Sequence, residues 1–579
     1  MMKGKMTSGF PWRLILVFSL PILLSGLLQQ CYNIADTMIV GRFLKLEALT
    51  GMGATWALNY IIIAFCQGAG MGIGIPVSQQ YGAGRDKELR RFFYNGMYVA
   101  MVLAVFMTGF SVGFCRFMLV LTKTAPSVLN YAYDYIVVIF AGIPFTILFN
   151  ACFGILMAFG NSKLPSGVMG ISTVFNVGLD LLFILILDMG VAGAALATVL
   201  SEGGAGIFCF VWLLKKYPIL RPEEDEKRLR LSYMGKVVFM SVPMGLQYSV
   251  TAIGAVILQT SINELGEVAV AAYSIGSKVK SLFFCPLNAM GSALATFTGQ
   301  NYGYGDMKRV RRGIRSTIVM GVLYCILVIA VAMTASTVLA GLFVDASESR
   351  AGEVIACTAQ FIRYIGVFML LLAVLFPVRY AVQGMGHGDK SLFSGMAEMA
   401  ARIAMSLWVV PVYGFTAVCI SEGVTFLAGI LVIVPMAVKT PREVREGTVK
   451  LCRRFLKLWK QLREYKSLAW YQEEVKEGRC IGDHSIAVGL YAREIGLEQE
   501  LAGAVYVYNL ITSIVTNAVK TVPLSQIAGQ QILNQALEQV EECVAKAKEV
   551  EKEDLGVGGT QMDIAAMNHE TLYSRLYMS

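Results

Sequence analysis

Charge is what this chain has least of. Asp, Glu, Lys and Arg make up 15% of its 579 residues, and histidine occurs three times. Ordinary globular chains carry about a quarter charged residues, so a wholly soluble fold is excluded. Cysteine is present, twelve times, but no Cys-x-x-Cys pair occurs, which removes the common thiolate metal sites. Cys66, Cys152, Cys209, Cys285 and Cys325 lie inside apolar runs, where a buried free thiol is the plain reading. His387, His484 and His569 are too scattered to argue a metal centre or an acid–base pair. The string Gly384-Met385-Gly386-His387-Gly388-Asp389-Lys390-Ser391 imitates a phosphate loop. It has Asp where the glycine before Lys belongs, and no strand precedes it. Neither ATP-driven work nor an enzyme is expected, and no resident cofactor or nucleic-acid partner is implied. The first apolar run passes through Gln29, Gln30 and Asn33 without a small-residue cleavage site, so a cleaved leader is not expected.

Apolar sequence is abundant: 56% of residues, a mean hydropathy of +0.60, and long runs from Leu14 to Val438. A membrane helix needs about 20 mostly apolar residues. That rule predicts spans near 13–40, 54–77, 92–118, 132–158, 167–187 and 190–213, then 236–262, 273–298, 314–344, 357–382, 391–411 and 413–436. The expectation is an all-α polytopic membrane protein of about twelve helices in two six-helix lobes, followed by a soluble helical segment. Basic clusters at Lys3, Lys5 and Arg13, at Arg85, Lys87, Arg90 and Arg91, at Lys215 to Arg230, and at Lys308 to Arg315 fall in alternate connections. The positive-inside rule then puts both termini of the membrane part in the cytoplasm, in a plasma-membrane protein.

The two lobes are copies. Tyr81-Gly82-Ala83-Gly84 with Lys87, Arg90 and Arg91 recurs as Tyr302-Gly303-Tyr304-Gly305 with Lys308, Arg311 and Arg312. Ser201-Glu202-Gly203 recurs as Ser421-Glu422-Gly423. Six helices per copy give both the same orientation, as in transporters whose substrate passes between halves. The domains expected are 1–220, 221–440 and a tail, 441–579.

Ionisable residues inside a membrane are costly and mark pathways. Asn33 and Asp36 share one face of the first span, and Asn176 and Asp180 one face of the fifth. With Thr198 of the sixth they fall at similar depth. Two carboxylates with amide and hydroxyl groups suit a hard cation, and in a poorly solvated cavity they equally suit a proton. Glu398 and Arg402, four apart, are read as a local ion pair. Arg379 is read as snorkelling from the end of the tenth span. Glu202 and Glu422 stay open.

Leu20-Pro21, Asn33-x-x-Asp36-Thr37, Val40-Gly41-Arg42, Gln80-Tyr81-Gly82-Ala83-Gly84, Asn176-x-x-x-Asp180 and Gln383-Gly384-x-Gly386 together resemble the multidrug and toxic compound extrusion (MATE) family over residues 10–438. The resemblance implies a cation-coupled exporter of small, cationic or amphipathic molecules, driven by H⁺ or Na⁺. It also implies that Asp36, Asn176, Asp180 and Thr198 match the first lobe's cation site. The second lobe has Ile257 where the repeat would put Asp36.

Acidic and basic residues nearly balance beyond Pro441, so the formal +9 belongs to the membrane part. Leu451, Phe455, Leu458 and Leu462, beside Lys450, Arg453, Arg454, Lys457 and Lys460, read alone as a basic amphipathic surface helix. Ala502 to Ala518, apolar but holding Asn509 and Asn517, reads as a buried helix of a soluble bundle. Glu446-Gly447-x-x-x-Leu451-x-Arg453-Arg454-Phe455-Leu456, Val522-Pro523-Leu524-x-Gln526-x-x-Gly529-Gln530 and His569-Glu570-Thr571-x-Tyr573-Ser574-Arg575-Leu576 resemble the urease accessory protein F family. That implies part of a helical scaffold serving nickel delivery to urease, with other urease accessory proteins as partners and nickel met only indirectly. Three functions stay open: a cation-coupled antiporter, a flippase for lipids or polysaccharide precursors, and a membrane-tethered urease assembly factor.

Overall fold

A computed structural model describes residues 6–43, 46–122, 124–222, 226–344, 350–462, 466–476 and 484–498, with a few single positions beyond, and the backbone alone over 31–43, 46–49, 438–462 and a few later positions. The described residues are helical almost throughout, in two compact units, Met1–Ala437 and Val438–Ser579.

The first unit opens with α1 (Pro11–Phe43), α2 (Leu46–Ala83), α3 (Asp86–Leu121), α4 (Leu129–Ala141), α5 (Ile143–Ala158), α6 (Lys163–Leu181) and α7 (Gly190–Lys216). It repeats the plan with α8 (Leu231–Asn263), α9 (Glu267–Tyr304), α10 (Met307–Gly341), α11 (Ala351–Gly384), α12 (Gly388–Ala404) and α13 (Val410–Leu462), the last of which continues into the second unit from Val438. Among the described residues ten stretches are long and apolar enough to cross a membrane, eleven if the bent pair α4–α5 is one span. The last stretch, Gly388–Ala437, has 50 residues, about 75 Å of helix against a hydrocarbon core of about 30 Å. It breaks at Gly414, whose φ of 58° and ψ of −140° are not helical. Counted as two spans, it brings the total to the twelve expected.

The fourth span, expected as one helix over 132–158, bends by 45° between Ala141 and Ile143. Gly142 there packs so tightly on the Val199 side chain that a Cβ has no room, and Pro144 lacks the N–H that would continue the ladder.

The repeat is built into the backbone. Pro21 interrupts α1 and Pro243 interrupts α8. The helix carrying Asn176 runs into a π-helical turn at Leu182–Ile186, and α12 does the same at Met405–Val409. The following turns use Gly190 and Gly414, both at φ 58°. One apolar core gathers mainly from α1–α7 and another from α8–α13. The outward faces are also apolar: Ile171 is 73% exposed, Val105 69% and Val338 67%. Such a surface on a long helical bundle is the lipid-facing side of a polytopic membrane protein.

The segment between the copies is tied down on α3. Arg90 grips fully buried Glu226 through Nε (2.5 Å) and Nη2 (2.8 Å). Asn95 accepts from the Arg230 amide at 2.8 Å, and Tyr98 donates to the Lys227 carbonyl at 3.0 Å.

In the second unit, α14 (Lys466–Lys476) packs on α15 (His484–Glu494) around Leu468, Tyr471 and Ala487. Ala502 to Ala518, except positions 504 and 505, and the terminal motif at 569–576 lie outside the described residues. All eight described cysteines are free thiols, six of them buried.

Candidate functional site

The copies meet where α2 and α9 end. Gly82 lies directly on the Gln300 carbonyl, and Gly303 lies on the Gln79 carbonyl. Each glycine is indispensable because the partner backbone occupies the place of a Cβ. The contact is reciprocal, the signature of a two-fold relation between copies. Met6 seals the same seam: its amide donates to Gln300 Oε1 at 2.6 Å, and its carbonyl accepts from Asn301 and from Arg309, each at 3.2 Å. Above this closed end a cavity of about 50 Å³ remains between the copies. Met71 and Ser78 line it on one side, and Tyr248, Thr296, Tyr380 and Gln383 on the other.

In the first copy, α6 packs against both α1 and α7. Asn176 is 3% exposed and Asp180 fully buried, one turn apart on the inward face of α6. Neither amide atom of Asn176 has a hydrogen-bond partner among the described residues, a deficit of about 1–3 kcal/mol per group. The adjacent π-helical turn shifts the register of the ladder, a distortion frequent at functional positions. Thr198 on α7 is half-buried, and its hydroxyl donates to the Ala194 carbonyl at 3.2 Å. Asn33 and Asp36 lie on the helical backbone of α1, and their side chains are outside the described residues. One turn beyond Thr198, Glu202 accepts from the Thr146 hydroxyl at 2.7 Å.

In the second copy, Glu398 and Arg402 have the same four-residue spacing as Asn176 and Asp180, are likewise buried, and lie one residue further ahead of the π-helical turn. The local pair expected between them is not made. Glu398 is bound instead by Arg379 of α11, and Arg402 donates to Glu422 of α13 at 3.1 Å. Helix i,i+4 neighbours pair when no better partner faces them, and here α11 and α13 present opposite charges at closer range. Arg379 therefore does not snorkel. It is 5% exposed, with a further bond to the Ser394 hydroxyl at 3.0 Å. The sequence reading missed Lys280 of α9, which reaches Glu422 Oε1 at 2.8 Å and lies 5.7 Å from the Tyr273 ring centroid and 6.0 Å from that of Phe361. A lysine inside an expected apolar span was the available signal.

Comparison with known proteins separates two parts. The MatE family model matches residues 21–182 and 243–408, and the UreF family model matches residues 435–537. A probable multidrug resistance protein of Bacillus subtilis, YpnP, is 28% identical over 311 residues, covering 52% of this chain and 68% of the relative. The FAD transporter of Shewanella oneidensis is 23% identical over 307 residues, with the same coverage. The urease accessory protein UreF of Streptococcus salivarius is 35% identical over 138 residues, 24% of this chain, and the chain spans 58% of its length. An outward-facing MATE transporter of the MOP superfamily superimposes with a TM-score of 0.68 at 22% identity, over 74% of this chain and 96% of that one, which supports the fold. With a family model covering more than half its length and a membrane bundle built of two copies, the chain belongs to the MatE family of multidrug transporters, and it carries a UreF-like segment behind its membrane part.

Proposed function

We propose that the chain is a cation-coupled antiporter that exports small organic molecules across the plasma membrane, with its termini in the cytoplasm. The observation that carries this is the α6 face: a fully buried Asp180 beside an Asn176 whose amide is unsatisfied, in a membrane helix flanked by α1 and α7. A buried polar group without a partner costs free energy unless a ligand uses it. Asp36 and Asn33 from α1 and Thr198 from α7 complete the set that would take H⁺ or Na⁺. A coupling ion drives exchange only through different affinity for the two access states, and a carboxylate offers that because its charge can be neutralised. With cytoplasmic termini, the seam at Gly82 and Gly303 is the inner gate, shut in this conformation.

The test is dye efflux in everted vesicles under an imposed proton gradient and then a sodium gradient. Asp36→Asn and Asp180→Asn should each reduce gradient-driven efflux at least tenfold at normal expression. Wild-type rates in both variants under both gradients would remove the site from the mechanism.

A second reading concerns the tail, whose UreF likeness supports an appended urease-maturation scaffold. Spanning little more than half of the relative, it should bind urease accessory proteins more weakly than a full-length UreF. Co-purification with them from a urease-positive host tests this, and recovery equal to that of full-length UreF would contradict it.

A further inference from the structure

Among the described residues, the buried charges of the second copy do not cancel. Lys280, Arg379 and Arg402 carry three positive charges, and Glu398 and Glu422 carry two negative ones, all between 2% and 16% exposed at the side chain. They form an alternating row across four helices: Arg379 of α11, Glu398 and Arg402 of α12, Glu422 of α13, and Lys280 of α9. One cation is left in excess within a membrane-spanning bundle, where uncompensated charge is expensive. Among the described residues the Nε–H groups of Arg379 and Arg402 both lack a hydrogen-bond partner, so the donor capacity of the row also exceeds its acceptors. Each guanidinium offers five N–H donors in a planar fork suited to carboxylate or phosphate.

One end of the row lies near the space between the copies. On α11, Arg379 directly precedes Tyr380 and is one turn from Gln383, and both line the inter-copy cavity; Gln383 Oε1 is also without a partner among the described residues. The corresponding places of the first copy carry no such cations: Asn176 and Asp180 stand for Glu398 and Arg402, and Asn59 on α2 stands for Lys280 on the equal-length α9.

We propose that Lys280, Arg379 and Arg402 form a substrate subsite for the phosphate or carboxylate of an organic anion, with Glu398 and Glu422 holding the cations in place until it arrives. The proposal rests on the exporter reading and adds a substrate class to it: amphipathic anions carrying a phosphate or carboxylate group. The incoming acceptor satisfies the orphaned donors and neutralises the excess charge, so binding is favourable where a cationic ligand would be repelled.

The test uses purified full-length protein in nanodiscs of zwitterionic lipid. FAD is titrated in, and riboflavin, the same ring system without phosphates, is the control, both read by fluorescence anisotropy. FAD should bind at least tenfold more tightly than riboflavin. Lys280→Gln and Arg402→Gln should each weaken FAD about tenfold, the loss of one charge-assisted bond. Glu422→Gln and Glu398→Gln, which remove the competing negative charges, should tighten FAD severalfold. A purely structural row predicts the opposite for the glutamates, because any break in it would loosen the lobe. Equal affinity for FAD and riboflavin, or weakening by Glu422→Gln to match Arg402→Gln, would overturn the proposal. Should Arg402→Gln fail to fold, Lys280→Gln and Glu422→Gln alone still give opposite signs. Repeating the titration with anionic lipid in the nanodisc separates two sources of the same chemistry: Lys280-dependent competition assigns the subsite to a lipid headgroup, and none assigns it to a soluble anion. Gradient-driven transport of ethidium and of FAD is followed in parallel. Failure with both sinks the exporter reading, whereas failure of the FAD binding series alone sinks only this subsite.

Discussion

The two halves of the membrane unit share a scaffold and differ in the charges placed on it. Both repeat a proline in the first helix, a π-helical turn late in the fifth span, and a glycine at φ 58° in the turn after it. At the matched turn ahead of the π-helix, one half carries Asn176 and Asp180, the other Glu398 and Arg402. Among the described residues, the Asn176 amide of the first half has no partner, whereas Glu398 and Glu422 of the second are each gripped by a cation. The two copies therefore share the backbone devices that shape the bundle and differ in the charges of their polar interior.

The comparison breaks most visibly at the ion pairs. Arg379→Met leaves Glu398 buried without its cation and should cost about 3–5 kcal/mol, the usual penalty for breaking a buried pair, as a drop in thermal unfolding temperature in detergent. Next come Gly82→Ala and Gly303→Ala. Each places a Cβ on a partner carbonyl and should cost about 1–3 kcal/mol of overpacking. Because the contact is reciprocal, the two should be nearly equal, and both should increase thiol labelling of a cysteine placed at Tyr304. A large inequality would deny the two-fold seam. Asn176→Leu should change stability by less than about 1 kcal/mol, since it removes no made hydrogen bond, while abolishing coupled efflux. That contrast with Arg379→Met separates a side chain kept for a ligand from one kept for a neighbour. The smallest effect is expected from a stop codon after Thr440, which spares every membrane span and should leave efflux unchanged. Loss of efflux would mean that the tail acts on the transporter.

Hydropathy, motif spacing and helical faces made the spans, the repeat and the buried polar face of α6 legible, because each depends on local composition or on a helical face. Asn176 and Asp180 were found because a four-residue spacing in an apolar run fixes their common direction whatever packs opposite. The partners in the second half were not legible in the same way. Spacing alone joins Glu398 to Arg402, but Arg379 and Glu422 come from helices 19 and 20 positions away in sequence, and only tertiary packing brings them closer. The Arg379 reading failed for a related reason: span limits give depth, not whether a side chain turns inward or toward the interface. The bend at Gly142 was readable in principle from Gly142-Ile143-Pro144. The seam at Gly82 was not, since the repeated motif shows that two loops are alike and says nothing about their touching.

The central claim is that the first half, and not the second, exchanges the coupling cation for substrate. It is tested most directly by counting ions released when tetraphenylphosphonium is added to purified protein, with a pH indicator in weak buffer and with radioactive sodium in parallel. The account predicts release of H⁺ or Na⁺ from the wild type and from Glu422→Gln, and none from Asp180→Asn. Undiminished release from Asp180→Asn, or its loss in Glu422→Gln alone, would contradict it.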